Sequence, residues 1–495
     1  MSDRIKPYSV VDIGSNSIRL VIFDVAGGYP HPVYNERMFC ALGAGVGRHG
    51  HLPDKTIDDA LTAIVRFARI AQEANAGPLY AFATSAVRDA SNGSALTEAV
   101  RSQTGCKVDV ISGKDEARLS ANSVRYGLNL QDGIVADLGG GSLELAMLKK
   151  GCVTHATSLP LGIVRLSARF DGEMSGMRDE VSRRVNSINW LKQARGASLV
   201  PLGGAFRAFA RLSIAENRHP LNIIHGFTAA PPVIRNRIEL LKDMRPRALS
   251  ALSGVTSRRR AALPLTSMIL EKLMDRTDPS AISFAAVGVR EGYVFSRMPS
   301  GEIADDPLVA AAQQIARHDS RYGDTSGVLM DWIAPLLPPR KRARTRLQHA
   351  VCALADMAWR EHPDYRANYA FERSIQFPFL GISHNERAFV ALSLYMRYGG
   401  KPEDGIVTPY RPLLSKRAIR RAEILGLVLR LAYRISSGNP ALLMQSSISI
   451  DDGKLHLLLP PNGAAPDRSR IQTTVKRLCD VRNLRPGPVR IARNP

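Results

Sequence analysis

Through the first 112 positions, short apolar blocks end repeatedly in turn-forming residues. SVVDIG, SIRLVIFDV and HPVYNERMFCAL read as adjacent strands, with Gly27-Gly28 turning between the last two. In TIDDALTAIVRFARIAQEANA the apolar positions recur every three to four residues, which predicts a helix starting at Asp54 or Thr56. LYAFATS then reads as a buried strand, SALTEAVRSQTG as a helix, KVDVIS as a strand and GKDEARLSANSVRYGL as a helix. The pattern restarts with GIVADLGGGSLELAMLKKG. It continues through CVTHATSLPL, a helix from near Leu161, the strand SLVPLGG and the helix AFRAFARLSIAEN. The expectation is a duplicated α/β unit with mixed sheets.

The pattern breaks at MPSGEIADDP, residues 298–307, a run of turn formers and acids. Beyond it, RTRLQHAVCALADMAWREH, NERAFVALSLYMRYGG and SKRAIRRAEILGLVLRLAYRI carry helical spacing, and SSISIDDGKLHLLLP reads as a hairpin around Asp452-Gly453. A chain of 495 residues exceeds one core, and about three domains follow. The expected boundaries are 1–130, 131–300 and 305–495, the last an α+β, mainly helical domain.

The restart of the pattern is also a repeat of chemistry. VDIGSNSIRLV (11–21) and ADLGGGSLELA (136–146) align Asp12 with Asp137, Gly14 with Gly139, Ser17 with Ser142 and Leu20 with Leu145. A strand ending in Asp-x-Gly-x-x-Ser and followed by a returning strand makes a tight hairpin. Its glycines admit close backbone approach, and its N–H groups and serine hydroxyl form an anion nest. Two such hairpins can clasp a phosphate chain. Ser15, Asn16 and Ser17 in the first, with Gly139, Gly140, Gly141 and Ser142 in the second, are the expected phosphate-binding residues. Asp12, Asp137 and Glu144 are the hard oxygen ligands that Mg²⁺ or another divalent cation on such phosphates would need.

Charge sharpens this picture. Sixty-seven Lys and Arg against 45 Asp and Glu give a formal charge of +22. Such a field suits a polyanionic partner, although solubility or a lineage-wide basic bias explains it too. RKRARTR (340–346) and SRRR (257–260) are the densest clusters, each readable as an anion track or a solvated face. Aromatic residues make up only 6% of the chain, without a stacking pattern, so no specific nucleic-acid partner is expected. The apolar runs are too short or too interrupted for a membrane span, and the N-terminus lacks the apolar block of a signal peptide. Five scattered cysteines without a CxxC suggest reduced thiols in a cytoplasmic protein.

VDIGSNSIRL, FATSAVRDASNG, ISGKDEARLS, VADLGGGSLELA and VGVREGY, in order across residues 10–295, resemble the exopolyphosphatase / guanosine pentaphosphate phosphohydrolase family. The paired loops resemble the phosphate motifs of the wider superfamily of sugar kinases, heat-shock ATPases and actin. This resemblance implies duplicated actin-like (ribonuclease H-like) domains around a cleft. It also implies roles for two residues. Glu116, in the block Ser112-Gly113-Lys114-Asp115-Glu116-Ala117, is the implied general base for an attacking water; the same acids would also suit a helix N-terminus. Arg88 is the implied phosphate clamp, with an ion pair to Asp89 as the structural alternative. Arg19, Gly203 and Gly204 are weaker candidates.

The implied activity is Mg²⁺-dependent, processive removal of terminal orthophosphate from inorganic polyphosphate. Hydrolysis of guanosine pentaphosphate to the tetraphosphate is the nearest rival. An ATP-using kinase with an adenosine pocket near PLGGAFRA (201–208), and a non-catalytic polyphosphate or guanosine tetraphosphate sensor, are the other readings. Longer family members carry a C-terminal domain similar to HD-type phosphohydrolases. Here His318-Asp319, His349, Asp356, His362 and His384 do not make the H…HD…D pattern. A degenerate helical domain used for homodimerisation or chain binding is therefore expected.

Overall fold

The structure is a computed structural model that describes residues 6–43, 46, 50–242, 244, 248–249, 254, 256–338, 342–461 and 468–491. It divides into two compact units, Met1–Asp305 and Asp306–Pro495.

The first unit holds two sheets. Strands β1 (Tyr8–Ile13), β2 (Ser17–Asp24), β3 (His31–Phe39), β4 (Leu79–Ala83) and β5 (Val108–Val110) form a sheet in the order β3-β2-β1-β4-β5. Strands β6 (Gly133–Leu138), β7 (Leu143–Lys149), β8 (Cys152–Leu159), β9 (Leu199–Leu202), β10 (Phe227–Ala229) and β11 (Ile282–Phe284) form the other, in the order β10-β11-β9-β6-β7-β8. The two share a core plan. β1 lies antiparallel to β2 and parallel to β4, and β6 lies antiparallel to β7 and parallel to β9. β6 and β7 are almost continuously buried, as expected of strands covered on both faces.

The repeated motif closes the same turn twice. Asp12 pairs with Arg19 and Ile13 with Ile18; Asp137 pairs with Glu144 and Leu138 with Leu143. Gly14 N–H donates to Ser17 O at 3.2 Å, and Gly139 N–H to Ser142 O at 3.0 Å. The architecture is the duplicated actin-like one, with mixed sheets. Helices carry the expected periodicity: in Asp54–Glu73, Ala60, Ala63, Ile64, Phe67 and Ala71 face the core.

Helix Gly113–Gly127 is the element on which the site depends. Ser112 caps it by accepting Asp115 N–H at 3.1 Å. Helix Val289–Arg297 lies directly against it: a methyl group on Gly292 would sit 1.9 Å from Leu119 O, so only glycine allows this approach.

The second unit is mainly helical. Its principal helices are Pro307–Asp319, Arg342–Ala353, Arg366–Gln376, His384–Tyr398, Lys416–Ser436 and Arg468–Arg482. β12 (Ser447–Asp451) and β13 (Lys454–Leu459) form the expected hairpin, with φ of 44° at Asp452 and 66° at Gly453. Two details depart from the sequence reading. The helix expected through RTRLQHAVCALADMAWREH stops at Ala353 and passes into a 3₁₀ turn. There Asp356 accepts the backbone N–H of Arg321 at 3.1 Å and its guanidinium at 2.8 Å. A further strand, β14 (Arg485–Ile491), pairs parallel with β13. Its prolines remove donors and mask the alternation that would have revealed it.

Three of the HD-type residues are engaged by other groups. Asp319 pairs with Arg373, His349 Nε2 lies 3.0 Å from Ser326 Oγ, and exposed His362 lies 3.8 Å from Asp364. Of RKRARTR, Arg340 and Lys341 lie outside the described residues. Arg346 is no solvated track residue: it is buried and paired with Asp306 and Glu386. All five cysteines are free thiols. Among the described residues, no helix is long and apolar enough to cross a membrane.

Candidate active site

The two hairpin loops meet. A methyl group on Gly140 would lie 3.2 Å from Ser15 Cβ, and one on Gly141 only 2.3 Å from Ser85 Oγ. Ser15 Oγ and Ser85 Oγ are hydrogen-bonded at 2.9 Å. A small cavity of about 40 Å³ lies between the loops, lined by Ser15, Ser85, Gly140, Gly141 and Arg165.

The carbonyls of both loops are held by neighbouring donors. Gly139 O accepts Ile163 N–H at 3.2 Å, Gly140 O accepts Val164 N–H at 2.8 Å, and Gly141 O accepts Arg165 Nε at 2.7 Å. In the first loop, Ser15 O accepts Gly43 N–H at 2.6 Å and Asn16 O accepts Cys40 N–H at 3.3 Å. Because a trans peptide holds its N–H opposite its C=O, the amides of Asn16, Ser17, Gly140, Gly141 and Ser142 lie on the other edge of those peptide planes. Gly162 makes this folding-back possible, since a methyl there would lie 2.3 Å from Ser142 N.

Behind the loops, helix Gly113–Gly127 presents Glu116 and Ser120 on one face, four residues apart. Ser120 Oγ donates to Asp137 Oδ2 at 2.6 Å. Glu144 Oε1 accepts Ser158 Oγ at 2.7 Å. Asp12 Oδ2 pairs with Arg290 Nη1 at 3.2 Å. Glu116 differs: among the described residues its buried Oε2 has no hydrogen bond, and the opposite charge beside it is Arg88 Nη1 at 3.5 Å. Arg88 donates to Ile111 O at 3.0 Å and also touches Asp89 at 3.3 Å, so the ion pair read as the structural alternative is present.

The electrostatics follow from burial. Desolvation raises the Glu116 carboxyl well above the usual carboxylate range, Glu144 and Asp137 raise it further, and Arg88 opposes them. Burial likewise pushes Glu144 up to about 7, against hydrogen bonds from Ser142 and Ser158. Asp12 and Asp137 are raised by desolvation too. Facing these acids are arginines that also suffer from burial: Arg19 is lowered to about 10, first by desolvation and then by Arg290 and Arg207. The Nε atoms of Arg207 and Arg290 are buried without hydrogen-bond partners among the described residues.

Sequence reasoning missed Arg207, Arg290 and Ser85. Arg290 stood inside VGVREGY, where only the block and not its guanidinium was used. Arg207 stood in PLGGAFRA, read for adenosine. The pairing of Asp12 with Arg290 spans 278 positions and leaves no local signal.

Asp12, Asp137 and Glu144 each hold a protein partner, and no group of three or more His, Cys, Asp or Glu among the described residues is arranged to hold a metal ion. An all-protein metal cage is therefore not what this chemistry offers. Four mutually repelling carboxyls, Glu144 buried and the others half-buried, one with an unpartnered oxygen, do fit a cation carried in on phosphate oxygens, which needs only one or two carboxylates. A larger cavity of about 550 Å³, lined by Met174, Met177, Leu249 and Leu265, contains no carboxylate and is not this site.

Two glycine hairpins closing over buried acids and arginines define an actin-like enzyme that handles phosphoryl groups. Residues 21–301 match the family model described as the Ppx/GppA phosphatase family, and residues 308–485 match the model described as exopolyphosphatase, C-terminal. The chain belongs to the Ppx/GppA phosphatase family, a family of phosphatase-type hydrolases. It is similar to exopolyphosphatase 1 of Mycobacterium tuberculosis, at 28% identity over 304 residues, covering 59% of this chain and 88% of the relative. Among solved structures, the Aquifex aeolicus Ppx/GppA family member aligns with a TM-score of 0.53 and 25% identity, covering 59% of this chain and 97% of that one. An exopolyphosphatase from Cytophaga hutchinsonii shares the fold, with a TM-score of 0.54, 24% identity and coverage of 59% and 97%.

Proposed function

We propose that this protein is an exopolyphosphatase that removes the terminal phosphoryl group of inorganic polyphosphate as orthophosphate, with Glu116 as general base. The observation that carries the reading is the buried Oε2 of Glu116, without a hydrogen bond and 3.5 Å from Arg88. A desolvated, raised carboxylate is suited to take a proton from water near neutral pH. The loop amides of Asn16, Ser17, Gly140, Gly141 and Ser142 hold the phosphate oxygens. Arg88 grips the terminal group as negative charge builds on it. Positioning and charge neutralisation supply the rate, since phosphoryl transfer asks for little covalent help from the protein.

The acids Asp12, Glu116, Asp137 and Glu144 oppose Arg19, Arg88, Arg207 and Arg290, so four carboxyls meet four guanidiniums before any phosphate arrives. Added phosphate charge asks for a cation, which supports Asp137 and Glu144, with Asp12 behind them, as the residues that hold Mg²⁺ or a similar ion. When bound, the ion neutralises phosphate oxygens and lowers the pKa of neighbouring acids. The relatives named exopolyphosphatase support the substrate class.

The test is orthophosphate release from long-chain polyphosphate, guanosine pentaphosphate and ATP, by wild type and Glu116→Gln. Release from polyphosphate that falls about 10²–10⁴-fold in the variant supports the reading. A variant as active as wild type removes Glu116 as the base. Turnover of guanosine pentaphosphate alone transfers the same mechanism to that substrate.

A further inference from the structure

We propose that Arg165 is a positioning residue that locks the second glycine loop to the Arg88 clamp, a role that rests on the reading of this site as a phosphoryl-transfer centre. Arg165 lies in helix Ile163–Arg169, which follows β8 of the second sheet, and Arg88 ends helix Ser85–Arg88, which follows β4 of the first. The backbone holds the loop first. Ile163 N–H donates to Gly139 O at 3.2 Å, and Val164 and Arg165 N–H both donate to Gly140 O, at 2.8 and 3.1 Å. The Arg165 side chain then donates from Nε to Gly141 O at 2.7 Å and reaches across with Nη2 to Asp89 Oδ2.

Asp89 is the bridge. Its Oδ1 accepts Arg88 Nε at 3.3 Å, so one carboxylate joins a guanidinium from each half of the unit. Each guanidinium is also held by a backbone carbonyl, Ile111 O for Arg88 at 3.0 Å and Gly141 O for Arg165. The connected run is Gly141–Arg165–Asp89–Arg88, and Arg88 Nη1 lies 3.5 Å from Glu116 Oε2. The loop that would hold phosphate oxygens and the arginine that would neutralise them therefore share one linkage. Its charged side chains are 24–36% exposed, so these ion pairs contribute little to stability. Their effect is on placement, because a shift of about 1 Å near a reacting group can cost roughly 100-fold in rate.

A double-mutant cycle on the full chain, read as orthophosphate release from long-chain polyphosphate, tests the linkage. Arg165→Gln is expected to lower kcat about tenfold, and Asp89→Ala by at least as much, while KM stays within about threefold. Adding Arg165→Gln to Asp89→Ala is expected to cost no more than about threefold further, because the linkage is already broken. Arg165→Lys should recover kcat only in part, since an ammonium replaces a fork that serves Asp89 and Gly141 O together. Melting temperatures should fall by about 4 °C or less, which separates placement from unfolding. If Arg165→Gln does not fold, Arg165→Lys with Asp89→Ala completes the cycle. Losses that multiply around the cycle, or a KM that rises with kcat unchanged, overturn the proposal. Glu116→Gln is measured beside them. If it is inactive while the losses multiply, the linkage alone falls; if it is active, the reading on which the linkage rests falls.

Discussion

Glu116 and Glu144 share one buried space, and each makes the other harder to ionise. As a base, Glu116 must be deprotonated, so activity should rise with pH across a limb above the ordinary carboxylate range. Glu144→Gln removes a negative neighbour, lowers the Glu116 pKa and should move that limb to lower pH. A kcat/KM profile measured for both proteins checks this; an unmoved limb would contradict the coupling. Glu144 also ties stability to pH, because it titrates near 4.5 when unfolded and about 7 when folded. Its contribution is therefore complete below about 4.5 and is lost as pH rises to about 7, at about 1.4 kcal/mol for each pH unit between those values. In chelator, the melting temperature of the wild type should fall more between pH 5 and 7.5 than that of Glu144→Gln. Arg88→Ala should reduce turnover roughly 10²-fold or more, and Arg88→Lys should recover it only in part, because the ammonium lacks the guanidinium fork.

Two helices transmit the sequence to those residues. The Ser112 cap fixes the first turn that carries Glu116, and Ser112→Ala should cost about 1 kcal/mol in denaturant unfolding. Gly292 is the contact point between helices Gly113–Gly127 and Val289–Arg297, where a methyl would meet Leu119 O at 1.9 Å. Gly292→Ala should therefore destabilise the first unit by roughly 1–3 kcal/mol. It should also displace Arg290 from Asp12, so activity should fall more than stability alone explains. Comparing kcat/KM with unfolding midpoints separates the two effects.

Across the whole molecule the formal charge is +22. A long polyanion that covers basic surface releases counterions on binding, whereas a short one releases few. The KM for long-chain polyphosphate should therefore climb steeply with KCl, while kcat for a short chain changes little. Equal salt slopes for long and short chains would show that the general basic surface does not hold the substrate.

Local pattern alone determined strands β1 to β9, most helices, the Asp452-Gly453 hairpin and the duplicated glycine loop, because periodicity and turn chemistry are properties of neighbouring residues; β10, β11 and β14 were not read from it. The loop residues Ser15, Gly140 and Gly141 were legible for the same reason, and the structure brings them together. Recognising Glu116 and Arg88 needed the family resemblance, since an acid in a first helical turn and an arginine beside an aspartate have ordinary explanations. Only the tertiary structure decided the rest. The Asp12–Arg290 pair, the Ser15–Ser85 bond and the Ser120–Asp137 bond join residues distant in the chain. Raised carboxyl pKa values arise from desolvation and proximity, and both exist only once the chain has closed around them.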